Sequence, residues 1–337
     1  MKTKTLRVKF FQSIFCLLIM PFLSQFCSGC ITHLPQEKIS GPKTYFRKTD
    51  IRTNGISRNY LVHVAKDYNF EKPLPLVVAI HGAFSTAKEF EKQTGFSTLA
   101  DKEGFIVLYP NGIGILGIMQ HWNSGFCCGK AAKENIDDIG FLEKSINDLS
   151  GYLNIDRTRI YMVGFSNGGM LAYRFAAEKS HMVAAIAAVA ATIGGKSSAD
   201  SPELCIPAPV IPVPLIILHG SKDESIPYEG GSSMKHMSAA REYMSVADSV
   251  DFWIRHNGCQ REPAQKNLYD ENVLHEWWGK CRNNSAVELY LIKNCPHIWP
   301  DKYSMAAFDK KNALKGFDAA EIIWSFLKNY QRAVDAK

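Results

Sequence analysis

Residues 160–170 read Ile-Tyr-Met-Val-Gly-Phe-Ser-Asn-Gly-Gly-Met. The run from Arg159 to Val163 favours extended backbone, and Met170 to Lys179 suits a helix. A Gly-x-Ser-x-Gly sequence set between a strand and a helix predicts a nucleophile elbow. Such a turn presents Ser166 on a sharp, strained bend above the end of the strand. Gly164 and Gly168 lack Cβ atoms, so strand and helix can approach closely around it. The plain alternative is an ordinary Gly/Ser/Asn turn, and the flanking elements favour the elbow.

Outward from this point, short apolar runs alternate with helical spacing. Tyr60 to Ala65 alternates apolar and polar residues, as an antiparallel edge strand does. Leu74 to Ile80 is a buried type of strand ending in His81-Gly82. Ala87 to Lys102 has helical spacing, and Phe105 to Tyr109 is another buried strand. Asp137 to Leu153 places Ile139, Leu142, Ile146, Leu149 and Leu153 on one helical face. Val183 to Ala191, Pro214 to His219 and Val287 to Ile292 read as further strands. Helical stretches cover Ser233 to His256 and Ala319 to Tyr330. This alternation predicts an α/β fold with a mostly parallel central sheet and helices on both faces. No internal repeat or proline-rich linker follows residue 50, so 50–337 reads as a single catalytic domain.

The first residues are Met-Lys-Thr-Lys-Thr-Leu-Arg-Val-Lys, with no acid before Glu37. A broken apolar run, Phe10 to Phe26, leads to Cys27-Ser28-Gly29-Cys30. Basic head, short apolar stretch and small residues predict an export signal over 1–29, not a spanning helix. Ser28-Gly29-Cys30 also resembles the end of a bacterial lipoprotein signal, although Cys27 stands where an aliphatic residue is usual. Lipidation of Cys30 would anchor the chain to a membrane. Residues 30–49 are polar, contain Pro35 and Pro42, and read as a tether. The chain's formal charge of +6 owes four cations to the signal, so no basic surface argues for nucleic acid. Nine cysteines suit an oxidising compartment, extracellular or periplasmic. Cys127, Cys128, Cys205, Cys259, Cys281 and Cys295 remain after the signal and Cys30, and permit three disulfides in fifteen arrangements. A zinc site is the rival reading, but no Cys-x-x-Cys or His-x-x-x-His spacing supports it.

A serine hydroxyl needs a base to take its proton during attack, and a carboxylate to orient that base. Behind an elbow the chain order is serine, acid, histidine. Asp223 follows the strand ending at His219, beyond its carboxyl end, where open α/β sheets place active groups. Glu224 is its neighbour and competitor. His297 follows the strand ending at Ile292, in Asn-Cys-Pro-His-Ile-Trp-Pro. His81 and His219 precede glycines at strand ends and read as turn formers. Acyl transfer also needs N–H donors aimed at the developing oxyanion. Asn167, directly after the serine, supplies one; the loop His81-Gly82-Ala83-Phe84 supplies the other, with Ala83 preferred by position. Trp122 and Trp299 read either as an aromatic wall for substrate or as core. One of Asp137 and Asp138 caps the helix that follows.

Several of these segments, taken in order, resemble the polyhydroxybutyrate depolymerase and feruloyl esterase family of α/β-hydrolases. They are Val-Val-Ala-Ile-His-Gly (77–82), Tyr-Pro-Asn-Gly (109–112) and Trp-Asn-Ser-Gly-Phe-Cys-Cys-Gly (122–129). Asp-Asp-Ile-Gly-Phe-Leu (137–142), Gly-Phe-Ser-Asn-Gly-Gly-Met (164–170) and His-Gly-Ser-Lys-Asp…Pro-Tyr (219–228) continue the match. Asn-Gly-Cys (257–259) and His-Ile-Trp-Pro (297–300) complete it. The resemblance implies a serine ester hydrolase with Ser166, Asp223 and His297 as triad, needing no cofactor or metal. It also implies that Cys259 pairs with Cys281. The implied substrates are hydroxyalkanoate esters or oligomers of the polyhydroxybutyrate type, or else feruloyl and acetylxylan esters. A catalytically silent, surface-binding lipoprotein is the alternative of another class. This chain departs from the family around His297, where Asn294-Cys295-Pro296 precedes it and Asp301 follows, and in the longer apolar loop Ile113 to Met119.

Overall fold

Leu74–Ile80 carries only apolar residues and proline, and all but its first residue are buried. A strand buried on both faces belongs in the interior of a parallel sheet. In the computed structural model, which describes residues 43–115, 117–233, 241–301, 304 and 317–333, it lies near the middle of a ten-stranded sheet. The signal, Cys30 and the first part of the expected tether lie outside the described residues. The strands of this sheet are β1 (Lys43–Thr53), β2 (Ile56–Val64), β3 (Leu74–Ile80), β4 (Ile106–Pro110) and β5 (Ile155–Phe165). They continue with β6 (Ala185–Val189), β7 (Leu215–Gly220), β8 (Gln265–Asp270), β9 (Val273–Trp278) and β10 (Val287–Ile292). Their spatial order is β1-β2-β4-β3-β5-β6-β7-β10-β9-β8. The six from β4 to β10 run parallel; antiparallel pairs close both edges.

The helices are α1 (Ala87–Thr94), α2 (Phe96–Glu103), α3 (Gly129–Lys133), α4 (Asp138–Ser150), α5 (Asn167–Glu178), α6 (Val246–Asn257) and α7 (Ala319–Leu327). One core joins α1, α2 and α7 to the sheet through Phe90, Phe96, Tyr161, Ile216 and Trp324.

Three expectations are corrected, and one element was not foreseen. Residues 43–49, read as tether, form the first part of β1, because antiparallel pairing with β2 satisfies their backbone. The helix expected over 87–102 is two helices, broken where Gly95 turns left-handed (φ 70°). Of the helix expected over Ser233 to His256, residues 234–240 lie outside the described residues, 241–245 are not helical, and α6 starts at Val246, where Ser245 and Asp248 form a capping box. Just before it, Glu242–Tyr243 pairs into a small sheet with Gly194–Lys196. The hairpin β8–β9 was not expected, since its half-exposed edge strands mix charge with apolar residues.

Candidate active site

Ser166 sits at the end of β5 with φ 55° and ψ −125°, a conformation that L-residues rarely adopt. Its N–H donates to the Val189 carbonyl at 2.8 Å, and α5 begins at the next residue. The surrounding glycines are demanded by distance. A methyl on Gly164 would lie 2.1 Å from the Gly168 carbonyl oxygen. One on Gly168 would lie 2.2 Å from the Ile80 carbonyl oxygen. Neither backbone atom can yield, so strand, serine and helix lock together only with glycine at both positions.

Strands β7 and β10 are parallel neighbours with Gly220 opposite Ile292, so the loops that follow them emerge side by side. Lys222 N–H donates to the Cys295 carbonyl at 3.0 Å, and Asn294 N–H donates to Ser221 Oγ at 2.8 Å. These stitches bring together the two loops that carry Asp223 and His297. Asp223 Oδ2 lies 2.7 Å from His297 Nδ1, and His297 Nε2 lies 2.9 Å from Ser166 Oγ. The three side chains, up to 131 residues apart in sequence, thus form one hydrogen-bonded chain. Phe165 flanks the imidazole, with ring centroids 5.0 Å apart.

Asp223 is held rigidly: its Oδ1 accepts from Ser225 N–H at 2.9 Å and Ile226 N–H at 2.8 Å. Burial alone would raise its pKa; the hydrogen bond and charge of His297 outweigh that and leave it lowered. His219, expected to shape a turn, lies buried behind it, with Nε2 3.6 Å from Asp223 Oδ2 and 2.9 Å from the Ile226 carbonyl. Burial lowers the His219 pKa against the pull of Asp223. Glu224, the competitor, is not part of the hydrogen-bonded chain.

The N–H of Asn167 opens the first turn of α5, where backbone donors lack intrahelical acceptors. In the early loop, Phe84 N–H donates to the Gln120 carbonyl at 2.8 Å. Among the described residues Ala83 N–H has no such acceptor, so it is the donor left open there. His81 is fully buried. Its Nε2 lies 3.1 Å from both the Gly112 N–H nitrogen and Gln120 Oε1, and its Nδ1 lies 2.7 Å from the Gly82 carbonyl oxygen. Burial pushes the His81 pKa down to about 4.

A hydroxyl hydrogen-bonded to an imidazole, itself bonded to a buried carboxylate, can lose its proton as it attacks a carbonyl. Among the described residues no group of three His, Cys, Asp or Glu side chains is placed to hold a metal.

The family model described as esterase PHB depolymerase matches residues 59–204. Feruloyl esterase B of Piromyces equi is 28% identical over 72% of this chain and 43% of its own length. The bifunctional acetylxylan esterase/xylanase XynS20E of Neocallimastix patriciarum is 29% identical over 73% of this chain and 32% of its own. The chain thus spans less than half the length of these two relatives. The chain is similar to the polyhydroxybutyrate depolymerase and feruloyl esterase family of α/β-hydrolases, over the residues that the family model matches. Among solved structures, an acetyl xylan esterase from Aspergillus awamori shares the fold with a TM-score of 0.56 at 14% identity, covering 77% of this chain and 96% of its own.

Of the two readings open for Trp122 and Trp299, the burial favours core over substrate wall. Trp122 and Trp299 are both fully buried. Trp122 braces the elbow: its N–H donates to Asn167 Oδ1 at 2.8 Å, and its indole N–H to the His81 carbonyl at 2.9 Å. Trp299 packs edge-on against Phe90, Phe96 and Phe165, beneath the His297 side of the site. Cys259 and Cys281 form a disulfide, and Cys127 pairs with its neighbour Cys128. Asp137 is the helix cap, accepting from Gly140 N–H, whereas Asp138 forms a buried ion pair with Arg58 at 2.8 Å. That pair was missed, since nothing in the sequence around Arg58 distinguishes it from a solvated cation; the strand that carries it, expected at an edge over Tyr60 to Ala65, is β2 and is paired on both sides. Asp138 also accepts from Asn123 N–H at 2.8 Å, and so fixes the loop that begins at Trp122.

Proposed function

We propose that this chain is a serine carboxylic-ester hydrolase working through an acyl-enzyme. The observation that carries the reading is the unbroken chain from Ser166 Oγ through His297 to Asp223, at 2.9 and 2.7 Å. Ser166 attacks the ester carbonyl while His297 Nε2 takes its proton. His297 then gives that proton to the departing alcohol, and water repeats the sequence in reverse to free the acid. Asp223 holds the imidazole in the tautomer that keeps Nε2 open to accept. The N–H groups of Asn167 and Ala83 receive the oxyanion.

Feruloyl and acetylxylan esters are the substrate class that the relatives' names favour. Hydroxyalkanoate oligomers are the second reading, favoured by the description of the matching family. Rates on methyl ferulate, acetylated xylan and hydroxybutyrate dimers would rank the two. Ser166→Ala should lower kcat by about 10³–10⁶-fold and abolish labelling by a fluorophosphonate probe. A parent protein that neither labels nor hydrolyses any of these esters would instead support the silent, ligand-binding lipoprotein.

A further inference from the structure

At the oxyanion loop and the hairpin bonded to it, the surface departs from ordinary solvent-facing composition. Phe84 is 54% exposed, Ile115 66%, Ile118 58% and Met119 49%. Phe84 belongs to the loop of the second oxyanion donor. The other three lie on a hairpin formed by Ile113–Ile115 and Ile118–His121. Four large apolar side chains left in water on one loop and the hairpin bonded to it point to a binding surface.

Three observations tie this patch to the reacting centre. The hairpin is bonded into the oxyanion loop, by Phe84 N–H to the Gln120 carbonyl and by the bridge between Ser85 and Gln120. Phe84 packs edge-on against His121, with centroids 4.5 Å apart. The same loop touches the nucleophile, since a methyl on Gly82 would lie 3.3 Å from Ser166 Cβ. Backbone conformation gives an independent argument. Phe84 (φ 66°) and Met119 (φ 51°) hold left-handed backbone that glycine or asparagine adopts more cheaply. Neither bulky side chain is buried, so folding gains little from it.

We propose that Phe84, Ile118 and Met119, with Ile115, form a platform for a bulky apolar group carried by the ester, an aryl ring or a chain longer than acetyl. This rests on the ester-hydrolase reading above and names the substrate feature that site selects. An acetyl methyl is too small to cover four such side chains, whereas a ring or long chain can lie across them. Ile115, Ile118 and Met119 lie in the loop in which this chain departs from the family it resembles.

Two variants test it: Ile118→Ser, and Phe84→Asn, which retains tolerance of the left-handed backbone. The parent and both variants are compared on p-nitrophenyl octanoate against acetate (acyl side), and on 1-naphthyl acetate against methyl acetate (alcohol side). The bulky-to-small ratio of kcat/KM should fall about tenfold in one of the two series, which also tells which half of the ester the platform holds. Ratios within twofold of the parent in both series, for both variants, would overturn the proposal. So would retained ratios accompanied by lost sedimentation with polyhydroxybutyrate particles, because the patch would then dock on a solid surface. A binding arm separates this proposal from the ester-hydrolase reading. In a Ser166→Ala background, calorimetric binding of methyl ferulate (bulky acyl side) or of 1-naphthyl acetate (bulky alcohol side) should weaken about tenfold with either substitution; unchanged binding of both overturns the platform whatever the turnover.

Discussion

Asp223 faces two histidines and serves only one of them. Its Oδ2 is 2.7 Å from His297 and 3.6 Å from His219, and its Oδ1 is committed to two backbone N–H groups. Replacing it with asparagine would turn an amide donor toward His297 Nδ1 and favour the tautomer protonated on Nε2, which cannot take the serine proton. Asp223→Asn should therefore lower kcat on p-nitrophenyl butyrate by about 10⁴-fold. An activity within tenfold of the parent would remove Asp223 from the mechanism. Ser166, Asp223 and His297 were legible because each follows a strand, in the order an elbow requires. Trp122 and Trp299 stayed open between substrate wall and core because a tryptophan beside a motif looks alike whether it points inward or outward. Only the burial of both rings shows that they brace the site from below.

At the scale of elements, the elbow is one interlocked unit of β5, Ser166 and α5. A Cβ at residue 168 would meet the carbonyl oxygens of Ile80 and His81 at 2.2 and 2.4 Å. Gly168→Ala should then cost at least about 3 kcal/mol, or prevent folding, because β3 would be forced away from α5. Chemical denaturation measures this; a variant with the parent's midpoint and rate would show that the contact can relax. Long apolar runs made β3, β7 and β10 readable from sequence. Edges were harder: β1 looked like a tether and the β8–β9 hairpin went unseen, since an edge strand owes its conformation to its partner. The break at Gly95 has a local cause, but periodicity alone runs through it.

The whole molecule carries buried histidines whose protonation opposes folding. His81 is fully buried with its pKa lowered to about 4, and His219 is lowered in the same direction. The unfolded chain binds a proton on His81 near pH 6.5, whereas the folded chain does so only near 4. Between those values the unfolded state holds more protons, so stability falls as pH falls, by about 1.4 kcal/mol per pH unit for His81. Urea unfolding at pH 7, 5.5 and 4.5 should show this decline, and His81→Gln should flatten it. An unchanged slope in that variant would mean that His81 does not carry the effect.

The alternation of strand and helix, the elbow and the order of the three polar residues were fixed by sequence alone, because local periodicity and glycine spacing dictate them. Convergence was decided by the tertiary structure. Parallel neighbours β7 and β10 bring the acid and base loops together, and the pairing of Phe84 with Gln120 leaves Ala83 as the open donor. The Arg58–Asp138 pair, buried and 80 residues apart in sequence, belongs to the same class. Such contacts join side chains through packing between elements, and no spacing along the chain encodes which ones meet.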